Sequence, residues 1–188
     1  MVHIVTHWNF EGMEGNEIPV IVYTNCEEIE LFLNGRSLGR KEIEKYGHGQ
    51  WAVAYEKGEL TVKGYIDGKT VAQQTKKTTG KPVALKLRLE NEVKANGRDL
   101  AIFTCECVDK DGNIVPEASE FVRFSVADPA IIIGTGSDHC DHNRVGLPER
   151  KMYMGKIAIA VKPSKNQENI VLIAQSDNCN TCVLNVEL

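Results

Sequence analysis

Four side chains that metals favour stand together at His139, Cys140, Asp141 and His142, inside "SDHCDHN". Further along, "NCNTC" sets Cys179 and Cys182 at the spacing of a redox pair, half a metal site or two idle thiols. An up-and-down strand path would return the loops carrying both stretches to one end of the fold. His139, Cys140 and His142 would then join Cys179 and Cys182 in a set suited to tetrahedral zinc, with ligands at about 2.0–2.3 Å. That zinc would be structural, because four protein ligands leave no open position for water. The competing reading is that residues 135 to 153 form a long polar surface loop in which His and Cys occur by chance.

Other chemistry has less support. Cys105 and Cys107 in "FTCECV" sit two apart, so on a strand they share a face with Phe103 and read as packed thiols. With no βαβ pattern around Cys179 and Cys182, that pair reads as idle thiols too, and the redox compartment leans towards a reducing one. A glycosidase site needs two carboxylates about 5 to 9.5 Å apart across a sugar-sized cleft. The acids here instead alternate with apolar residues, as Glu28 and Glu30 do around Ile29, or sit in turns, as Asp67 and Asp111 do. GxSxG, HExxH, GxGxxG and phosphate-loop patterns are absent, so acyl transfer, zincin proteolysis and nucleotide chemistry lack support. Trp51 alternates with Val53 and Tyr55 and reads as core, whereas Trp8, between polar residues near the start, is left open to sugar stacking.

The elements that must position these residues are strands. In "PVALKLRLE", Val83, Leu85, Leu87 and Leu89 face one way and Ala84, Lys86, Arg88 and Glu90 the other, the pattern of a half-buried strand. The same period of two runs through "IPVIVYTN", "EEIELFLN", "QWAVAYE", "ELTVKGYID" and "KTVAQQTKKT", joined at Asn34-Gly35, Lys57-Gly58 and Asp67-Gly68, all dipeptides of hairpin chemistry. A second set comprises "DLAIFTCECVD", "EFVRFSVAD", "AIIIGT", "GKIAIAVK", "ENIVLIAQ" and "TCVLNVEL", with Asp111-Gly112 as a further turn. No stretch carries an apolar stripe at helical spacing. The expected class is all-β: two consecutive immunoglobulin-like antiparallel sandwiches, 1–80 and 81–188, divided near Gly80 where "TTGKPV" interrupts both ladders.

Composition limits the partners. A net charge of -4 supplies none of the basic excess that phosphates demand, so nucleic acid is not an expected partner. No apolar run approaches the roughly 20 residues of a membrane span, and "MVHIVTHWNF" lacks the pattern of a signal peptide, so neither export by its own signal nor a membrane anchor is expected.

The stretch "HIVTHWNFEGMEGNEIPVIVYTNCEEIELFLNGRSLGRK", followed by "WAVAYEKGELTVKGY", resembles the sandwich domain after the catalytic barrel in bacterial β-galactosidases of glycoside hydrolase family 2. "NGRDLAIFTCECVDKDGNIVPEASEFVRFSV" and "GTGSDHCDHN" through "YMGKIAIAV" are similar, in order, to the next domain of those enzymes. The resemblance implies a retaining glycosidase as parent, with two glutamates on a (β/α)8 barrel. Neither can be carried onto this chain, which by the resemblance starts after the barrel. A noncatalytic accessory region is therefore expected: no catalytic residue, no cofactor and no metal, with the parent's barrel as partner and other subunits or carbohydrate as further ones. The family has a variable polar loop where "SDHCDHN" stands, which favours the loop reading over zinc. Phe10 replaces the family's usual second Trp, weakening a stacking role there. A carbohydrate-binding module is the alternative function, and a stand-alone adhesin-like module a third.

Overall fold

The computed structural model describes residues 1–138 and 140–188. Two dipeptides shape the first half. Asn34 (φ 51°) and Gly35 (φ 81°) both adopt positive φ, as do Asp67 (φ 50°) and Gly68 (φ 72°). Each pair makes a two-residue hairpin turn whose twist suits the strands it joins. These turns connect β3 (Glu28–Leu33) to β4 (Arg36–Glu42), and β6 (Glu59–Ile66) to β7 (Lys69–Lys77). The other strands of this half are β1 (Val2–Ile4), β2 (Glu17–Thr24) and β5 (His48–Ala54).

They form a three-stranded sheet in the order β1-β2-β5 and a four-stranded sheet in the order β4-β3-β6-β7, every pair antiparallel. The inward residues of both, among them Val20, Val22 and Val53 from one and Ile29, Leu31, Leu60 and Val62 from the other, share one core. The contacts cluster into a unit spanning Met1–Thr78. Lys57-Gly58 is not a hairpin turn, contrary to expectation: it carries the chain from β5 in one sheet to β6 in the other. Gly58 (φ 136°) is needed because a Cβ there would fall 1.9 Å from Asn34 Oδ1. That oxygen accepts from the Glu59 N–H at 2.8 Å while Asn34 Nδ2 donates to Lys57 O at 3.1 Å.

The second unit spans Thr79–Leu188. Its strands are β8 (Ala84–Leu89), β9 (Ala101–Val108), β10 (Phe121–Val126), β11 (Ile131–Gly136), β12 (Glu149–Lys151), β13 (Lys156–Lys162), β14 (Asn169–Gln175) and β15 (Cys182–Glu187). They pair as β11-β13-β9-β8 and β12-β10-β14-β15, again antiparallel within each sheet. Leu85, Phe103, Ile157 and Ile159 from one sheet meet Val122, Phe124, Ile170 and Leu172 from the other in a single core. Burying each such aliphatic or aromatic side chain contributes about 1.5–3 kcal/mol, which is why strict alternation is enough to select the inward face.

Both units are immunoglobulin-like sandwiches with strands that switch between sheets, and the chain is all-β. Among the described residues no helix is long and apolar enough to cross a membrane. Three strands lack a readable period: β1 and β12, of three residues each, and β4, exposed throughout except at Leu38, which is partly buried. Each lies at the edge of its sheet; pairing alone defines β4, whereas β1 also buries Val2 and Ile4 and β12 buries Arg150.

Candidate functional site

The loop after β11 carries most of the polar side chains that the sequence singles out. An open depression of about 610 Å³ lies there, lined in part by Asp138, Cys140, His142, Asn143, Arg150 and Tyr153. Arg150, on β12, is the anchor. Its side chain is 2% exposed and that of Asp141 is 8%, with Arg150 Nη1 2.8 Å from Asp141 Oδ2. Nη2 donates to Thr135 O at 2.7 Å and to Arg144 O at 2.8 Å, and Nε donates to Thr135 Oγ1 at 3.2 Å. Thr135 Oγ1 in turn donates to Leu147 O at 2.8 Å. A buried guanidinium requires such partners, and they tie both ends of the loop to the edge strand.

Asp141 also accepts from Asn143 N–H at 3.0 Å and from Asn143 Nδ2 at 2.7 Å. The Asn143 N–H, followed by the Asn143 side chain and then the Arg150 charge, holds its carboxyl below the usual carboxylate range, against the opposing effect of burial. Asp138 accepts from the Cys140 N–H. Both carboxylates are engaged in loop geometry; Cys140 and His142 lie exposed, and Tyr153 is 49% exposed. The depression can present hydrogen-bond groups and one ring to a polar ligand.

The sheet order keeps apart the two stretches weighed as a zinc set. Cys179 is buried with its Sγ 3.4 Å from Cys107 Sγ, and Cys182 is partly buried against the core. The loop after β11 leaves one edge of its sheet, beside β12, while the segment before β15 lies at the opposite edge, where Asn180 bridges Ala84 of β8. An up-and-down path would have joined them; the observed order sets β13 and β9 between. His139 lies outside the described residues. Among the described residues no group of three His, Cys, Asp or Glu side chains is placed to hold a metal. Cys105 and Cys107 are fully buried beside Phe103, as their spacing predicts.

Trp8 is likewise not open. It is 1% exposed, in edge-to-face contact with Tyr55 at 5.2 Å and Phe10 at 6.1 Å, and its Nε1 donates to Glu56 O at 3.0 Å. Thr78 Oγ1 donates to Trp8 O at 2.8 Å, closing the plug. Trp51 is core as expected, 8% exposed, with Gly49 making room: a Cβ there would lie 2.7 Å from the indole.

Sequence reasoning missed Arg150, Thr135 and Asp109. Arg150 sits in "PERK", which reads as a solvated run. Asp109 had a findable signal in "DKDGN": it accepts from the N–H groups of Gly80 (3.0 Å), Asp111 (3.0 Å) and Asn113 (2.9 Å) and is 4% exposed. Burial by itself would raise its pKa, but these donors outweigh it and hold the carboxyl below its usual value.

The model of glycoside hydrolase family 2 C-terminal domain 5 matches residues 85–185, more than half of the chain. The chain belongs to glycoside hydrolase family 2. A second model, a domain of unknown function (DUF4982), matches residues 15–72 of the first unit. A β-galactosidase of Bacteroides ovatus is 31% identical over 99% of the chain, which covers 22% of that protein. A β-glucuronidase of Formosa agariphila is 36% identical over 69% of the chain and 14% of its own length. The crystal structure of a β-glycosidase from Bacteroides vulgatus superposes with a TM-score of 0.92 at 29% identity, over 100% of this chain and 24% of that one. The family 2 chain thus spans less than a quarter of each of these relatives, as an accessory region of a larger family 2 glycosidase does. The depression beside Arg150 lies in the part matched by C-terminal domain 5.

Proposed function

We propose that this chain is a noncatalytic accessory region of a family 2 glycosidase of β-galactosidase type. Its domains at 1–80 and 81–188 pack against the catalytic barrel of the parent chain and against neighbouring subunits. The observation that carries the reading is the family match combined with the share of each relative that the chain accounts for, 22% and 14% of the two curated enzymes. The state of the buried carboxylates agrees with it. Glu106 pairs with Lys156 at 3.2 Å and Asp109 is surrounded by backbone donors, so both are engaged in holding strands and turns rather than facing a cleft.

The β-galactosidase assignment rests on the relative that aligns over 99% of the chain. Hydrolysis of nitrophenyl β-galactoside and β-glucuronide by the full-length parent decides it; the galactoside should turn over faster, and a preference for the glucuronide would reassign the parent. The chain alone should hydrolyse neither substrate above a buffer control, and turnover that persists through repurification would end the noncatalytic reading.

One feature favours carbohydrate binding as a second role, the open depression with Tyr153 and His142 on its rim. Calorimetric titration with galactosides separates the two roles, because a scaffold gives no heat and a binding module does.

A further inference from the structure

The buried nucleophiles of the second unit have no part in the proposed role. Cys107, near the end of β9, is fully buried, and Cys179, on the connection from β14 to β15, is 8% exposed. They are 72 residues apart in sequence, yet their sulfurs lie 3.4 Å apart and both are free thiols. β9 and β15 belong to different sheets, so the contact spans the sandwich. It does so at an edge already laced by backbone: Asn180 N–H donates to Val83 O at 3.0 Å and Leu85 N–H to Asn180 O at 3.2 Å.

Other pairings fit worse. Cys105 and Cys107 are successive inward residues of one strand, about 6–7 Å apart along it, whereas a disulfide needs Cβ atoms about 3.8 Å apart. Cys182 is only partly buried and packs at the core margin, as Leu184 and Val186 do. The CxC and CxxC stretches therefore split across the sheets, one thiol of each meeting one of the other.

We propose that Cys107 and Cys179 form an inter-sheet disulfide site, closed by thiol–disulfide exchange with a small-molecule or protein disulfide when the chain folds in an oxidising compartment. One thiolate attacks the donor disulfide and releases the first donor thiol. The second thiolate then attacks the mixed disulfide and releases the other. The two cysteines lose two protons and two electrons, and the donor disulfide gains both as two thiols. The sulfurs must close from 3.4 Å to about 2.05 Å.

The folded thiols are poor nucleophiles, which sets when closure occurs. Burial, with the Cys179 contact next, pushes Cys107 up to about 12; burial also raises Cys179, and the carboxylate of Glu120 adds to both. Glu120 is held there by Asn178 Nδ2 at 2.8 Å and Ser176 Oγ at 3.2 Å. Since exchange follows the thiolate fraction, closure belongs to folding or to openings of the bend before β15.

The test refolds the full chain in a glutathione redox couple, blocks free thiols with N-ethylmaleimide in denaturant, and maps the peptides. Expected are four labelled cysteines of the six, a cross-linked peptide joining Cys107 to Cys179, and a Tm raised by about 10 °C that reductant reverses. Cys179→Ala should abolish both the cross-link and the reductant-sensitive rise. Six labelled cysteines, a cross-link mapping to Cys105–Cys182 or Cys179–Cys182, or a Tm lowered by oxidation would each overturn the site. The wild-type map decides the matter even if the variant does not fold.

Discussion

The two units close their sandwiches by different chemistry. In the first, the segment before β2 folds back as an aromatic plug, with Trp8 nearly sealed and Phe10 and Tyr55 edge-on to it. Asn9 is its one fully buried polar residue among those described. In the second unit Glu106, Asp109, Thr135 and Arg150 are all buried. The long connections after β9 and β11 run over the ends of the sheets there, and their backbone groups need partners. A ring can cap a core, but it can satisfy few backbone carbonyls. One guanidinium and one carboxylate between them take up the Thr135 and Arg144 carbonyls and the N–H groups of Gly80, Asp111 and Asn113.

This contrast can be tested unit by unit, because both tryptophans lie in the first unit and peptide-resolved labelling separates Cys105, Cys107, Cys179 and Cys182 of the second from Cys26 of the first. Trp8→Ala should have the largest effect, removing about 4–5 kcal/mol from the fluorescence-detected urea transition through the cavity and the lost Nε1 bond. A loss under about 1 kcal/mol would mean that the plug does not close the core. Arg150→Ala strands the Asp141 charge and should cost about 3–4 kcal/mol, read by thiol exposure in urea. The double replacement Arg150→Met with Asp141→Leu should recover much of that, because the unpaired charge goes with its partner.

Asp109→Ala leaves three backbone N–H groups without an acceptor and should cost about 2 kcal/mol. Its lowered pKa gives this residue a pH signature. The stability it contributes is fully present above the ordinary carboxylate pKa and is lost as pH falls through the folded value, so the second unit should weaken below about pH 4. Asp109→Asn should flatten that acid limb, and an unchanged limb would assign it elsewhere. The smallest effect belongs to the exposed Arg36–Glu56 pair at 3.1 Å, where Arg36→Ala should cost no more than about 0.5 kcal/mol and less in high salt.

Legibility followed the range of the interaction. Val83 through Glu90 show their alternation within eight residues, and Asn34-Gly35 carries its own turn. Lys57-Gly58 has the same local chemistry as that hairpin turn, yet it crosses between sheets, because which strand follows which is a non-local choice. Trp8 looked open because its neighbours in sequence are polar; its cover comes from Tyr55 and Glu56, nearly fifty residues away. The run "ERK" looked solvated because the atoms that receive the Arg150 guanidinium lie on another strand and in a loop.

The sequence by itself determined the all-β class, most strands and their inward faces, and the family, because side-chain alternation and collinear motifs are properties of the chain read in order. Tertiary structure alone decided that the loop after β11 and the segment before β15 leave opposite edges of the second sandwich, that Cys107 meets Cys179, and that Arg150 is buried. Those outcomes depend on the order of strands within each sheet, which is set by packing two whole faces together and is carried by no single stretch of residues.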